Sequence, residues 1–143
     1  DRSWYNRAGV EYVMSFCTSA ERDHFMWECS QLEPVFERAG IHLIKFFFQI
    51  TQDEQKKRFK SRQTSPLKLG KMSSIDLSAQ NLWDAYAAAY DALTIAQGDW
   101  VIINSNDKAK ARIAAMQYVL LNNDYLGKDL DAIGKIDPNI LKG

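Results

Sequence analysis

The stretch Asp1-Arg2-Ser3-Trp4-Tyr5-Asn6-Arg7-Ala8-Gly9-Val10-Glu11 sets acids, arginines and an amide around two aromatic residues. A hydrophobic core does not tolerate such groups unpaired, which makes Arg2, Asn6 and Arg7 candidates for a site. Phosphoryl transfer uses this mixture: a carboxylate holds Mg²⁺ while guanidiniums spread the charge of the transferring group. On that reading Asp1 is the metal ligand, and Arg2 and Arg7 meet phosphates. An isolated Asp-Arg pair also serves as a plain surface ion pair. Glu11 falls four residues after Arg7, so it either holds that guanidinium in place or meets the substrate itself. Trp4 and Tyr5 read as packing residues.

A second constellation is basic. Lys56, Lys57, Arg58, Lys60, Arg62, Lys68 and Lys71 follow one another without an intervening acid. Arg58 and Arg62 are one helical turn apart and share a face. Ser65-Pro66 and Gly70 then break the pattern, as suits a lid that closes over phosphates. The alternative is a solvated helix face. A phosphate-cradling Gly-x-x-x-x-Gly-Lys-Ser/Thr turn is absent, since Gly70-Lys71, Gly127-Lys128 and Gly134-Lys135 have no glycine five positions earlier.

These residues need elements to position them. Residues 3–15 read as a short helix, and Thr18-x-x-Glu21 as a capping box opening a second helix with Phe25, Cys29 and Leu32 at helical spacing. Gly40 ends that helix. The apolar run at 41–50 suggests a strand buried on both faces, with Lys45 either snorkelling from its end or meeting a phosphate. Thr51-x-x-Glu54 opens the helix toward Arg62. A long helix follows over about 74–93, then a buried strand at Trp100–Ile103 and an amphipathic helix at 107–121, where Asp107 suits the helix N-terminus. Residues 122–143 read as an irregular tail. Helices alternating with buried strands give an α/β fold of three layers around a parallel sheet.

Composition adds little. The chain has 143 residues, 46% of them hydrophobic and 25% charged, with 18 basic against 18 acidic side chains. That fits one globular domain or the larger part of one, and any case for a polyanionic partner must be local. Cys17 and Cys29 lack metal-ligand spacing and read as reduced thiols. His24 and His42 have no partner pattern and read as structural. The apolar runs are too short to span a membrane. No signal peptide is visible, and a segment upstream of Asp1 would conceal one.

The first stretch resembles the Walker B segment of family-2 polyphosphate kinases. Further matches keep that family's order: Phe16-Cys17-Thr18, Gly40-Ile41, Glu54-Gln55 with Arg58-Phe59 and Arg62, Pro66-Leu67-Lys68, Trp83-Asp84-Ala85-Tyr86, Asn106-Asp107-Lys108 with Ala111-Arg112, and Lys128-Asp129-Leu130. The resemblance implies a P-loop kinase-like fold of three α/β/α layers, with residues 1–143 the C-terminal part of a single domain and the P-loop half upstream of Asp1. It implies reversible, Mg²⁺-dependent phosphoryl transfer between inorganic polyphosphate and a nucleoside di- or triphosphate. Asp1 would hold Mg²⁺, and Asp1, Arg2, Arg7 and Arg62 would carry the reaction. Asn6, Glu11, Arg58, Lys68 and Lys71 would bind substrate, the basic ones within a lid at about 55–75. Asp107, Lys108 and Arg112 would lie at the nucleotide's edge.

The thiols suggest a cytoplasmic protein and the short apolar runs no membrane partner, and a homo-oligomer without a nucleic-acid partner is expected. One departure stands out: where the family commonly has Lys-x-Trp-Lys, this chain has Lys68-Leu69-Gly70-Lys71, so a stacking tryptophan is lost. Two other readings remain: an ATP-dependent nucleotide kinase of the thymidylate kinase type, and a non-catalytic polyanion-binding module.

Overall fold

The computed structural model describes residues 3–65, 67 and 74–142. They fall into two compact units, one built from residues 1–43 and 55–98, the other from 44–54 and 99–143.

In the first unit a 3-10 turn, Trp4–Arg7, leads into the one-turn helix α1, Val10–Val13. The single helix expected over 3–15 is therefore broken. The break falls at Gly9, where a Cβ would come within 2.6 Å of the Tyr90 ring, so only a bare α-carbon fits. Helix α2, Ser19–Arg38, opens with the expected capping box: Thr18 Oγ1 accepts from the Glu21 amide at 3.2 Å, and the Glu21 carboxylate accepts from the Thr18 amide at 2.8 Å. The bonds that this carboxylate accepts from the Thr18 amide and hydroxyl hold it below its usual range. Gly40, at φ +79°, ends the helical region as expected, with its amide on the Glu37 carbonyl.

Helix α3, Gln52–Gln63, carries buried Phe59. The long helix expected over 74–93 is two, α4 at Ser74–Asn81 and α5 at Trp83–Gln97. Asn81 competes for its own backbone and suits a helix end. Ala89 and Leu93, one turn apart on α5, are buried, and Gln97 Nε2 donates to the Met26 carbonyl at 2.7 Å, tying α5 to α2.

In the second unit β1, Lys45–Gln49, pairs in parallel with β2, Trp100–Asn104, in the register Lys45↔Trp100 to Gln49↔Asn104. The unit's core is Val101 and Ile103 of β2 with Ala111 and Ala114 of α6, Lys108–Leu121, and Ile140. Small alanines let α6 lie close to the strand, and Ile103 is wholly buried. Neither strand is buried throughout, contrary to the sequence reading. Burial alternates along β2, because successive side chains point to opposite faces and α6 covers the one carrying Val101 and Ile103. On β1 exposure rises to 50% at Phe48. Lys45 does not snorkel: it is 5% exposed, with Nζ 5.7 Å from the Trp100 ring centroid, within reach of a cation–π attraction.

Asp107 caps α6 through Oδ1, which accepts from the Ala109 and Lys110 amides at 2.9 and 3.1 Å. The segment read as an irregular tail is ordered. It forms α7, Leu130–Ile133, capped by Asp129, and β3, Leu141–Lys142, which pairs antiparallel with β2. Gln117 Nε2 holds it by donating to the Ile133 carbonyl at 2.7 Å, and Ile140 enters the core.

Gly9→Ala should lower stability by about 1–3 kcal/mol, the usual cost of forcing a methyl into a packed contact. Denaturant unfolding of Gly9→Ala and of Gly9→Ala with Tyr90→Ala checks it. Relief of part of the loss by the second change is the expected sign that the clash is with that ring.

Candidate functional site

The turn that carries the first candidates is made locally and held from outside. Ser3 Oγ accepts from the Tyr5 amide at 3.2 Å and starts the 3-10 turn. Tyr5 is buried at 7% exposure, its ring tilted against Trp4 and edge-on to Phe25. Its hydroxyl donates to the Glu33 carboxylate of α2, and burial with this bond pushes the phenol well above its usual range. Ala8 is buried as well, at 2%.

Within this frame Asn6 is partly exposed and Arg7 exposed. Arg7 Nε lies 3.5 Å from Glu11 Oε2, so the two candidates meet as an i,i+4 ion pair. With side chains 45% and 38% exposed, the pair contributes at most about 1 kcal/mol. It pre-orients the guanidinium while leaving it open to an anion.

Arg58 and Arg62 lie on α3 in the same compact unit as Asn6, Arg7 and Glu11. Arg62 sits in the last turn with its guanidinium carbon 5.6 Å from the centroid of the Phe59 ring, so buried Phe59 gives it a platform. Asp1, Arg2, Lys68 and Lys71 lie outside the described residues, as does the Lys68-Leu69-Gly70-Lys71 departure. Asp107 is accounted for by its cap.

Sequence reasoning passed over a cleft of about 790 Å³ in this unit, walled by Tyr12, Phe16, Thr18 and Arg22 on one side and by Ala85 and Ala88 of α5 on the other. The Arg22 guanidinium lies 4.1 Å from the centroid of the Tyr12 ring and donates to Asp23 Oδ1 at 2.7 and 2.9 Å. Cys17 also lines the cleft, and its thiol donates to the Arg7 carbonyl at 3.5 Å, linking the cleft wall to the candidate turn. Burial pushes that thiol up, away from nucleophilic thiolate chemistry. The ten-residue separation of Tyr12 and Arg22 follows no local periodicity that could have flagged the pair.

Among the described residues no group of three or more His, Cys, Asp or Glu side chains could hold a metal ion. Mg²⁺ does not need such a cage, because it is commonly held by one or two carboxylates together with substrate phosphates. The carboxylate read as the Mg²⁺ ligand, Asp1, lies outside the described residues, and the Glu11 carboxylate is paired with Arg7.

The profile of the family polyphosphate kinase 2 (PPK2) matches residues 1–130. The NDP-polyphosphate phosphotransferase 2 of Ruegeria pomeroyi is 48% identical over 145 residues, covering 99% of this chain and 42% of that protein. The GDP-polyphosphate phosphotransferase of Mycolicibacterium smegmatis is 42% identical, covering 99% of this chain and 51% of that protein. The crystal structure of polyphosphate kinase 2 from Arthrobacter aurescens TC1 superposes with a TM-score of 0.78 at 29% identity, over 92% of this chain and 50% of that one. The chain thus spans about half the length of these relatives. Its α/β architecture with a parallel strand pair is of the P-loop kinase-like kind. With the profile covering all but the last residues and the fold in agreement, the chain belongs to the polyphosphate kinase 2 family.

Proposed function

We propose that the protein carrying this chain is a phosphotransferase moving the terminal phosphoryl group between inorganic polyphosphate and a nucleoside di- or triphosphate. The observation that carries this is the presence in one compact unit of the anchored Arg7–Glu11 turn and the Arg58/Arg62 end of α3. In this reading Arg2 and Arg7 bear on nucleotide or transferring phosphates, with Asn6 and Glu11 orienting them. Arg58, Arg62, Lys68 and Lys71 track the polyphosphate, within a lid at about 55–75. Asp1, with substrate phosphates, would hold Mg²⁺, whose contribution there would be neutralisation of phosphate charge. No protein nucleophile is needed, because the acceptor phosphate oxygen attacks.

The phosphate-cradling turn missing from this sequence belongs, on the same reading, to a segment upstream of Asp1. Cys17 and Cys29, neither of them in a disulfide, fit a cytoplasmic setting, and exposed Trp27 and Ile95 offer surface for self-association. Among the described residues no helix is long and apolar enough to cross a membrane.

Donor choice tests the proposal. The full-length protein with Mg²⁺ should convert ADP or GDP to the triphosphate using polyphosphate. Activity with ATP and a nucleoside monophosphate alone would instead mark an ordinary nucleotide kinase.

Arg62→Ala should lower kcat by about a hundredfold, since a guanidinium aimed at developing charge acts mainly in the transition state. Arg62→Lys should restore little, because an ammonium cannot make the two-pronged contact. Steady-state kinetics at saturating polyphosphate, with a thermal melt of each variant, measure this; a solvated helix face would leave kcat at the wild-type value.

Polyphosphate binding should weaken steeply as salt rises, because lysines and arginines meeting a polyanion release its counterions. Calorimetric titration across a salt series reads the slope directly. A flat response would remove the basic stretch from the polyphosphate path.

A further inference from the structure

We infer that Glu33 of α2 is a positioning residue for Asn6 and Arg7, acting through the Tyr5 hydroxyl. The inference rests on the phosphotransferase reading for what Asn6 and Arg7 do, but not for how they are held.

A turn of four residues has almost no stability of its own, because helix nucleation is costly. The direction in which Trp4–Arg7 presents its side chains is therefore set by tertiary anchors. A 3-10 turn has three residues per turn, so consecutive side chains leave it about 120° apart. Fixing the direction of Tyr5 thus fixes those of Asn6 and Arg7.

Tyr5 is fixed at both ends of its side chain. Its ring is buried against Trp4 and Phe25, and its hydroxyl is bonded to Glu33, twenty-eight residues away in sequence. The rest of the segment is held too: Ala8 is buried and Gly9 lies against Tyr90. The Tyr5–Glu33 bond, made at the tip of a long rigid side chain whose hydroxyl also meets the Trp4 side chain, restrains rotation about the turn. Packing alone would let the ring slide. Neither Glu33 nor Tyr5 need touch substrate.

The test compares Tyr5→Phe, Glu33→Ala and Glu33→Gln in the full-length protein. It measures kcat, KM for polyphosphate, and the Kd of ADP and GDP with Mg²⁺ by calorimetry, with a thermal melt of each variant as control. Tyr5→Phe and Glu33→Ala should each lower kcat by about tenfold or more, since misplacement by a fraction of an ångström is costly at a reacting centre. They should raise the nucleotide Kd several-fold and leave KM for polyphosphate unchanged, because the basic stretch is not moved. Glu33→Gln should recover most of the loss, since its amide oxygen still accepts from the phenol. The double variant Tyr5→Phe with Glu33→Ala should be no worse than either single change.

Wild-type kcat and Kd in every variant, with only melting temperatures lowered, would overturn the inference and reduce the bond to a structural tie. Equal losses in Glu33→Gln and Glu33→Ala would overturn it as well. If the wild-type protein transfers nothing from polyphosphate, the functional reading fails and the nucleotide Kd alone decides the positioning role. Unchanged Kd then rejects it, as does a wild-type protein that binds neither nucleotide.

Discussion

Parallel pairing of β1 with β2 is the constraint on which the order of everything else depends. Two strands running the same way cannot be joined by a tight turn, so the chain must travel back from Gln49 to Trp100 before it can pair again. Residues 50–99 are that return path, and they contain α3, α4 and α5. The basic stretch is therefore carried on a crossover rather than on a strand or a chain end. It departs from the carboxyl end of β1, where the Thr51 amide donates to Asn106 Oδ1 at 3.0 Å, just past the carboxyl end of β2.

Against this frame the candidate turn is a contrast in stability. Its residues make few bonds that would persist in isolation, and they keep their arrangement because Tyr5, Ala8 and Gly9 are pressed into the unit around them. Burial does the holding while charge remains available, with Arg7 and Glu11 still more than a third exposed. The same division recurs on α3, where Phe59 is buried and the neighbouring Arg62 is held over its ring. In both places an aromatic group supplies the fixed point beside a candidate cation. Overall neutrality is no obstacle, because no acid interrupts the basic stretch from Lys56 to Lys71 and screening limits each group's reach to about 10 Å.

Much of the local structure was legible in the residues. The Thr18–Glu21 capping box, the stop at Gly40, the helix leading to Arg62 and the start of α6 at Asp107 all stand as read, because a cap is a bond between neighbours and its chemistry is written within a few positions. The Arg7–Glu11 pair was legible for the same reason. Other features were not. Residues 3–15 have helical spacing, yet the helix breaks where Gly9 must admit Tyr90 from eighty-one positions away. The tail has the composition of a loop, yet Ile140 enters the core and Leu141 pairs with Ile103.

By itself, then, the sequence determined the class of the fold, the capped ends of its helices and the residue types that can meet phosphate, since all of these follow from periodicity, short-range bonding and charge. Tertiary structure decided the rest. It buried Lys45 beside Trp100, divided the long helix at Leu82, walled a cleft with Tyr12 and Arg22, and tied Tyr5 to Glu33. Each of these depends on which distant side chain arrives at a given point in space, and spacing along a chain carries no record of that.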